Sequence, residues 1–360
     1  MPCSQVLTHC TRCAAKLLWV VLGLCAGSAW AKTAPAYKLR VVGGLAGIHQ
    51  YTRQEEPFWT QTLPRVSGGK FSADIVPFDR AGVAADDMLR LIQLGVVPLG
   101  TALMSSLSAQ YPEYTAPDLA GLNPDLTSLK KSVAAFRPYL ESSLRARQGI
   151  EVLALYIYPA QVLFCKNPIT RLSDLAGRRV RVAAATQADF VAALGGVPVL
   201  TSFAQIMSNM ASGNTECAIT GSMTGNTMGL HRVTSHVFTL PITWGVAIFG
   251  ANLAAWDALD PELKSLLRRE LPKLEAAIWA ESEQETMQGL ACNTGARICA
   301  GASTGHMLAT GVSAQDEQRR QEVLRSAVLP RWLQRCHGRC NEVWNRSIGP
   351  AVGVLVPAAP

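Results

Sequence analysis

Strand-like and helix-like segments alternate along the N-terminal third of the chain, and this order constrains the fold more than any other feature of the sequence. Strand patterns cover residues 37–42, 71–76 and 96–103, and helical patterns cover residues 55–63 and 86–94 between them. Strands that alternate with helices form a parallel sheet through right-handed crossovers. The sequence therefore predicts an α/β fold.

A second α/β series follows a long helical segment at residues 126–147. Residues 150–158 and 161–165 are predicted strands, and short strands and helices then alternate as far as residue 220. A single core seldom keeps growing beyond about 250–300 residues. We therefore expect two lobes joined by extended segments.

One long helix is predicted to begin at Asp260 and Pro261. Asp is a favoured N-cap residue, and a proline in the first turn loses no hydrogen bond. Apolar residues keep helical spacing to about Leu290, with a kink at Pro272. At 1.5 Å per residue the helix would be about 45 Å long, which is enough to cross both lobes.

The N-terminus has the pattern of a secretory signal peptide. Arg12 and Lys16 precede an apolar run at residues 17–24 and the small-residue pattern that ends at Ala31. The run is too short to span a membrane, which needs about 20 residues. We expect cleavage after Ala31 and export to the periplasm. A lipid anchor at Cys25 is the alternative, although Leu24 is bulky for the residue that precedes such a cysteine.

The composition is that of a globular protein, with 49% hydrophobic and 16% charged residues. The formal charge of +7 falls to +5 when Arg12 and Lys16 are removed with the signal peptide. A modest positive charge suits anionic ligands. Basic residues are not interleaved with aromatic residues, so we expect no nucleic-acid partner.

Six of the ten cysteines lie beyond the signal peptide. Cys292 with Cys299, and Cys336 with Cys340, are close enough in sequence to form disulfides in an oxidising compartment. Cys165 and Cys217 lie in apolar strand patterns, and for these two a buried free thiol is the expected state.

Four regions are therefore expected. They are a signal peptide at residues 1–31, lobe I at 32–157 with a return segment near 237–260, lobe II at 158–236, and the long helix with a disulfide-stapled C-terminal region at 260–360.

Motifs for cofactors and metals are weak, and we expect no cofactor and no metal site. The glycines at residues 43–47 lack the G-x-G-x-x-G spacing of a dinucleotide-binding loop, and residues 68–70 do not complete a P-loop. A metal site from Cys336, His337 and Cys340 is an alternative that lacks a second ligand pair at zinc spacing. The histidines, including His49, His231, His236 and His306, form no metal-ligand pattern.

A hydrolase motif, G-x-S-x-G, occurs at residues 301–305. Ser303 would be the nucleophile, with His306, Asp316 and His337 downstream. The motif functions between a core strand and a helix, whereas here the flanks are glycine-rich and little chain follows. A surface loop is favoured, and a secreted hydrolase that uses Ser303 is the alternative function.

Residues 169–182, with the sequence ITRLSDLAGRRVRV, resemble a segment of the tripartite ATP-independent periplasmic (TRAP) transporter solute-binding proteins. That segment, "slaDLkGlkiR", ends in a strand that carries an arginine. Residues 194–199 are similar to the family's "lGa-Pv" turn and strand, and residues 203–213 with Glu216 resemble its amphipathic helix, glycine and acidic residue. The N-terminal half agrees in layout. Cys217, residues 96–98 and the cysteine-rich C-terminus depart from the family pattern.

The resemblance implies a two-lobed α/β fold of the periplasmic-binding-protein type, with a long helix crossing both lobes. Such a protein closes around a ligand that binds the closed state better. The family captures a small organic carboxylate for the membrane permease subunits of a sodium-coupled TRAP transporter, and it makes or breaks no bond. A sensory solute-binding protein with the same fold is an alternative.

Arg181 matches the arginine that binds the ligand carboxylate in this family. A planar guanidinium can hold both carboxylate oxygens through charge-assisted hydrogen bonds. Strand alternation places Arg179 and Arg181 on one face, so only the resemblance selects Arg181 between them.

Further candidates for ligand contact lie at strand ends and in the loops that follow, where open α/β sheets bind ligands. They are His49, Tyr51, Ser105, Gln161, Phe164, Thr220, Ser222, Asn226 and Trp244. The aromatic members suggest a ligand with an apolar or aromatic body.

Overall fold

The computed structural model describes residues 37–299 and 303–357. The predicted signal peptide and its cleavage site after Ala31 lie outside the described residues. Within the described residues, no helix combines the length and the apolar character needed to cross a membrane.

Eleven strands lie within residues 37–299 and 303–357. Numbered β1 to β11, they are Tyr37–Gly43, Phe71–Pro77, Leu99–Leu103, Ile150–Tyr156, Gln161–Cys165, Arg179–Val182, Val197–Leu200, Cys217–Gly221, His236–Thr243, Ala247–Asn252 and Leu308–Thr310.

Twelve α-helices lie in the same part of the chain. Numbered α1 to α12, they are Leu63–Val66, Met88–Gln93, Leu126–Ser143, Ala185–Ala193, Ile206–Ser212, Ser222–Thr227, Leu253–Asp257, Pro261–Thr294, Ala314–Val323, Leu329–Arg335, Arg339–Arg346 and Ile348–Val352. Short 3-10 helices span Ala85–Asp87, Met104–Leu107, Pro112–Asp118, Leu172–Leu175, Phe203–Gln205 and Leu230–Arg232, and π-helical turns span Gln50–Glu55, Phe58–Thr62, Leu144–Gln148 and Leu324–Val328.

The strands form two sheets. The first has the order β2-β1-β3-β10-β4 and the second the order β11-β9-β5-β8-β6-β7. β1 is parallel to β2 and β3, and β6 is parallel to β7 and β8. This confirms the predicted two-sheet α/β fold with a parallel series in each half.

Two short segments, residues 157–160 and 244–246, carry the chain between the sheets. β4 and β10 are antiparallel neighbours in the first sheet, and β5 and β9 are antiparallel neighbours in the second. Of the return segment predicted near residues 237–260, β10 thus joins the first sheet and β9 joins the second. The predicted lobe boundaries stay a prediction.

The long helix α8 has the predicted start and is longer than predicted, at 34 residues. The Asp260 carboxylate accepts hydrogen bonds from the backbone N–H groups of Glu262 and Leu263, at 2.7 and 3.4 Å. Gly295 ends the helix with φ of +77°, a conformation that favours glycine.

Side chains of α8 bind both sheets and the crossover between them. Trp279 Nε1 donates to the carbonyl of Leu155 in β4 at 2.8 Å. Farther along the helix, Asn293 Nδ2 donates to the carbonyl of Ser222, which follows β8, at 2.9 Å. α8 therefore spans from the first sheet to the second.

Three disulfides are present in the described residues, and one of them corrects an expectation. Cys292–Cys299 and Cys336–Cys340 are bonded as predicted. Cys165 and Cys217, expected as free thiols, also form a disulfide. The reason is strand register, because antiparallel β5 and β8 place the two residues directly opposite each other. The bond between Cys336 and Cys340 leaves no thiolate for the alternative metal site.

Glu55 is a fully buried carboxyl group that fixes the loop after β1. It accepts hydrogen bonds from the Gly44 N–H at 3.0 Å, Gln50 Nε2 at 2.8 Å and Thr101 Oγ1 at 3.2 Å. Burial raises the pKa of Glu55 from 4.5 to about 7, and the three hydrogen bonds offset only part of this rise. The folded chain therefore retains a proton on Glu55 at pH values where the unfolded chain has lost it.

The first prediction concerns the Cys165–Cys217 disulfide. It joins residues 52 apart, whereas Cys336–Cys340 joins residues 4 apart. The chain-entropy relation gives about 4 kcal/mol for the longer loop and about 2 kcal/mol for the shorter one. In urea unfolding, the free energy of unfolding should therefore fall more in the Cys165→Ala/Cys217→Ala double variant than in the Cys336→Ala/Cys340→Ala control. Equal losses would contradict a stabilising role for this cross-strand bond.

The second prediction concerns Glu55 and pH. Because the folded-state pKa is raised, the native state binds more protons between pH 4.5 and about 7, and stability falls as the pH rises through that window. The loss amounts to at most about 3 kcal/mol. Urea unfolding at pH 5 and pH 8 should show that the free energy of unfolding decreases less from pH 5 to pH 8 in Glu55→Gln than in wild type. Glu56→Gln, an exposed neighbour, is the control and should behave like wild type.

Candidate functional site

A cavity lies between the loops of the first sheet and the strand ends of the second. It is lined by Met104, Ser105, Thr115, Asp118, Gln161, Ala184, Thr186, Gln187, Thr243 and Gly245, and it encloses about 340 Å³ including its open mouth. Four of these residues come from the 3-10 segments that follow β3. The others come from the start of β5, the start of α4 and the crossover after β9. This is where the carboxyl ends of parallel strands in an open sheet place ligands.

A hydrogen-bonded group of neutral side chains forms the wall on the second sheet. Gln187 Nε2 donates to Gln161 Oε1 and to Thr243 Oγ1, both at 2.8 Å. Gln187 Oε1 in turn accepts from the Ala183 N–H at 2.8 Å. These contacts fix the amide groups in defined orientations, so the wall offers fixed donors and acceptors to a polar ligand.

Asp118 is the ionisable side chain among the residues that line the cavity. Its oxygens accept hydrogen bonds from the backbone N–H groups of Trp244 at 2.9 Å and Gly245 at 2.7 Å. Burial of the carboxylate raises its pKa from 3.8 to about 7, although those backbone hydrogen bonds lower it. Asp118 thus holds the crossover between the sheets and also faces the cavity.

Arg181 lies near the end of β6, three residues before Ala184, and only 4% of its surface is exposed. Its Nε and Nη2 donate to the carbonyl of Thr201 at 3.2 and 2.9 Å, and its Nη1 donates to the carbonyl of Ile219 at 2.9 Å. Burial lowers its pKa to about 10. Within the described part of the chain, no carboxylate lies within 4.0 Å of this guanidinium.

Arg179, two residues earlier on β6, differs from Arg181 in burial and partners. Its side chain is exposed and donates to the carbonyls of Asn214 and Gly213, at 2.9 and 3.0 Å. The carboxylate of Glu216 lies 3.7 Å from its Nη2. Arg179 therefore has an acidic partner and access to water, whereas Arg181 has neither.

The structure brings Ser105 and Gln161, of the predicted contact residues, to the cavity lining. Trp244 contributes its backbone N–H to Asp118, while its indole Nε1 donates to the carbonyl of Asn123 at 3.0 Å. Arg181 is not part of the lining in this conformation.

The other predicted contact residues lie in packed positions away from the lining. Tyr51 is buried, with its hydroxyl 3.4 Å from the carbonyl of Ile75, and burial raises its pKa to about 12. Ser222 donates to the carbonyl of Thr286 at 3.0 Å, and Asn226 donates to the carbonyl of Ser303 at 2.7 Å. Phe164 and Thr220 are buried in the second sheet.

His49 lies at the start of the helical segment after β1 and contacts the long helix. Its Nδ1 is hydrogen-bonded to Oε1 of Glu285. Ligand atoms of His49, Glu281 and Glu285 all lie within 4.8 Å of one another. No sequence pattern reveals this group, because the two acids lie more than 230 residues away from His49.

The predicted hydrolase triad is not assembled. Ser303 Oγ lies 3.2 Å from Nε2 of His231, a histidine that was not among the predicted partners. The Asp316 carboxylate instead accepts from the Leu172 N–H at 2.8 Å and from Ser313 at the start of α9. His231 Nδ1 has no hydrogen-bond partner in the part of the chain that is described, so no acid orients this imidazole.

Sequence reasoning missed Asp118, Thr115, Thr186, Gln187 and Thr243. Thr186 and Gln187 could have been predicted, because they lie in the first turn of the helix that follows the strand carrying Arg181. Asp118 lies in a 3-10 segment with no periodic pattern, and its position becomes visible only once the crossover at residues 244–246 is placed beside it.

Solved structures with the same fold cover most of the chain. DctP7 of Bordetella pertussis, a solute receptor binding pyroglutamic acid, matches with a TM-score of 0.75 and 18% identity over 86% of this chain and 99% of its own. A TRAP periplasmic solute-binding protein of Desulfovibrio salexigens with bound orotic acid matches with a TM-score of 0.76 and 15% identity over 88% and 99%. At these identities the likeness establishes the fold.

Sequence comparison identifies the family. An uncharacterized protein of Salmonella typhimurium, YiiZ, is 25% identical over 243 residues, which are 64% of this chain and 72% of YiiZ. Residues 49–298 match the profile of the bacterial extracellular solute-binding proteins, family 7. The match extends from the loop after β1 to just beyond α8 and includes strands β2 to β10 and the residues that line the cavity. The chain therefore belongs to the DctP family of bacterial extracellular solute-binding proteins.

Proposed function

We propose that this protein is a periplasmic solute receptor that binds a small organic carboxylate between its two lobes and delivers it to the permease subunits of a TRAP transporter. In this proposal, the signal peptide directs export and is removed after Ala31. The observation that carries the proposal is the buried guanidinium of Arg181, which lacks an acidic partner among the described residues.

A buried cation without a counter-ion is costly unless hydrogen bonds or an anion compensate it. Arginine has five N–H donors, and three of those on Arg181 are used by the carbonyls of Thr201 and Ile219. One N–H on each terminal nitrogen remains. A ligand carboxylate would accept from these donors and would also supply the missing negative charge.

The position of β6 supports the same assignment. Ala184, Thr186 and Gln187, which follow β6, line the cavity, so the strand that carries Arg181 leads directly to it. Arg181 is not part of the lining in this conformation, and the ligand would reach its guanidinium when the lobes separate and then close. Opening and closing about a hinge is the usual motion of two-lobed binding proteins.

The solutes of proteins with the same fold support a carboxylate. They include pyroglutamic acid in DctP7 and orotic acid in the Desulfovibrio salexigens protein, and also succinate in a protein of Sulfurospirillum deleyianum. Each of these solutes carries at least one carboxyl group.

The third prediction tests solute binding. A ligand present at about 100 times its Kd stabilises the folded state by about 2.7 kcal/mol, so thermal unfolding against a panel of aliphatic, cyclic and aromatic carboxylates should show an upward shift for a few related acids. Amides and alcohols of the same skeletons should give no shift. If no acid in the panel shifted the unfolding temperature, the carboxylate proposal would fail.

The fourth prediction tests Arg181 with the acid that the panel identifies. Truncating one partner of a buried charged pair costs about 2–5 kcal/mol of binding free energy. Calorimetric titration of Arg181→Ala should therefore show affinity weakened by that amount, or no binding. Arg181→Lys keeps the charge but loses the planar pair of donors, and it should bind with intermediate affinity. Arg179→Ala removes an exposed arginine from the same face of β6 and should bind like wild type. Equal affinity for the two alanine variants would contradict the role of Arg181.

A further inference from the structure

His49, Glu281 and Glu285 form a cluster of metal-ligating side chains outside the solute cavity. Each residue offers one nitrogen or oxygen atom, and these atoms lie within 4.8 Å of one another. We propose that the cluster binds a divalent transition-metal ion of the Zn²⁺ class.

The fold places the three residues on two rigid elements. Glu281 and Glu285 are four residues apart on α8, so their side chains lie one turn apart on the same face of the helix. His49 directly precedes the helical segment that begins at Gln50, and its imidazole reaches Glu285. Ligands held on helices keep their geometry better than ligands on loops.

Burial and charge favour a cation at this position. The side chains of Glu285, Glu281 and His49 are 6%, 15% and 18% exposed. Oε2 of Glu285 has no hydrogen-bond partner within residues 37–299 and 303–357, and no Lys or Arg of this part of the chain lies within 4.0 Å of that carboxylate. A buried carboxylate needs a compensating charge or hydrogen bonds. His49 provides one hydrogen bond to Oε1, and a bound metal ion would replace it and supply the charge.

The contacts of Glu281 are compatible with a metal. Gln54 Nε2 donates to Glu281 Oε2 at 2.6 Å, and such an outer hydrogen bond orients a metal-binding carboxylate. Arg53 Nη1 lies 3.6 Å from Glu281 Oε1, and its side chain is 51% exposed. Because this contact is long and open to water, Arg53 can turn away when a cation binds to Oε1.

The donor set selects the class of metal. One imidazole nitrogen and two carboxylate oxygens suit Zn²⁺ and its neighbours better than Ca²⁺ or Mg²⁺, which prefer oxygen ligands alone. Four-coordinate zinc keeps its ligand atoms about 3.4 Å apart. To admit the ion, His49 Nδ1 and Glu285 Oε1 would lose the proton that they share and move apart, with Glu281 as the third ligand and water as the fourth.

A metal here would join the segment after β1 to the part of α8 that binds the crossover between the sheets. Ser282 Oγ donates to the carbonyl of Ile157 at 2.8 Å, and Thr286 Oγ1 accepts from the Ala160 N–H at 3.0 Å. On the helix, Glu281 directly precedes Ser282 and Glu285 directly precedes Thr286. A bound ion would therefore raise the unfolding temperature of the chain.

The test is titration of the metal-free mature protein with Zn²⁺ against a chromophoric chelator, with Co²⁺ as a visible-absorption probe of the ligand set. Wild type should bind one equivalent, and the Co²⁺ complex should show the bands of a nitrogen and oxygen site without thiolate. Glu285→Gln and His49→Ala should each weaken binding at least about tenfold. Glu281→Gln, which removes only a partly exposed charge, should weaken it as well.

His231, a histidine outside the cluster, provides the matched control. His231→Ala should leave Zn²⁺ affinity unchanged, since its contact with Ser303 belongs to another part of the molecule. Thermal unfolding in chelator shows whether each variant still folds. Absence of stoichiometric binding by wild type, or binding that survives both His49→Ala and Glu285→Gln, would overturn the proposal.

Discussion

The hydrogen bonds between α8 and the crossover at residues 157–160 are the constraint on which the rest of the structure depends. Through Trp279, Ser282 and Thr286 the helix binds the end of β4 and the segment that leads to β5. The same helix then binds the loop after β8 through Asn293. Two sheets joined by short crossovers thus acquire a common support.

Much of the fold could be predicted because it depends on local signals. The strand and helix alternation and the Asp260 cap that starts α8 are recorded in short stretches of sequence. The Cys165–Cys217 bond could not be predicted in this way, since it depends on the register of β5 against β8, and register is set by the whole sheet. The same reason explains why the return segment predicted near residues 237–260 did not reveal that β9 and β10 belong to different sheets.

The site was predicted less completely than the fold. Ser105 and Gln161 lie near strand ends in the cavity lining, whereas Tyr51, Phe164 and Ser222, from similar sequence surroundings, are buried away from it. Whether a polar residue faces a cavity or a neighbouring carbonyl depends on how two distant segments meet. Asp118 and the turn at residues 244–246 are such a pair.

The carbonyl partners of Arg181 also give this residue a structural role in the second sheet. Its guanidinium joins β6 to the end of β7 through Thr201 and to β8 through Ile219, so it is part of the framework of the second sheet. Residues that line the cavity, such as Thr115 and Thr186, do not join the strands of the second sheet in this way. Under the proposed function, changes there would alter which acid fits while the cation and the sheet stay in place. The architecture would then separate the part of recognition on which the sheet depends from the part that can change without disturbing it.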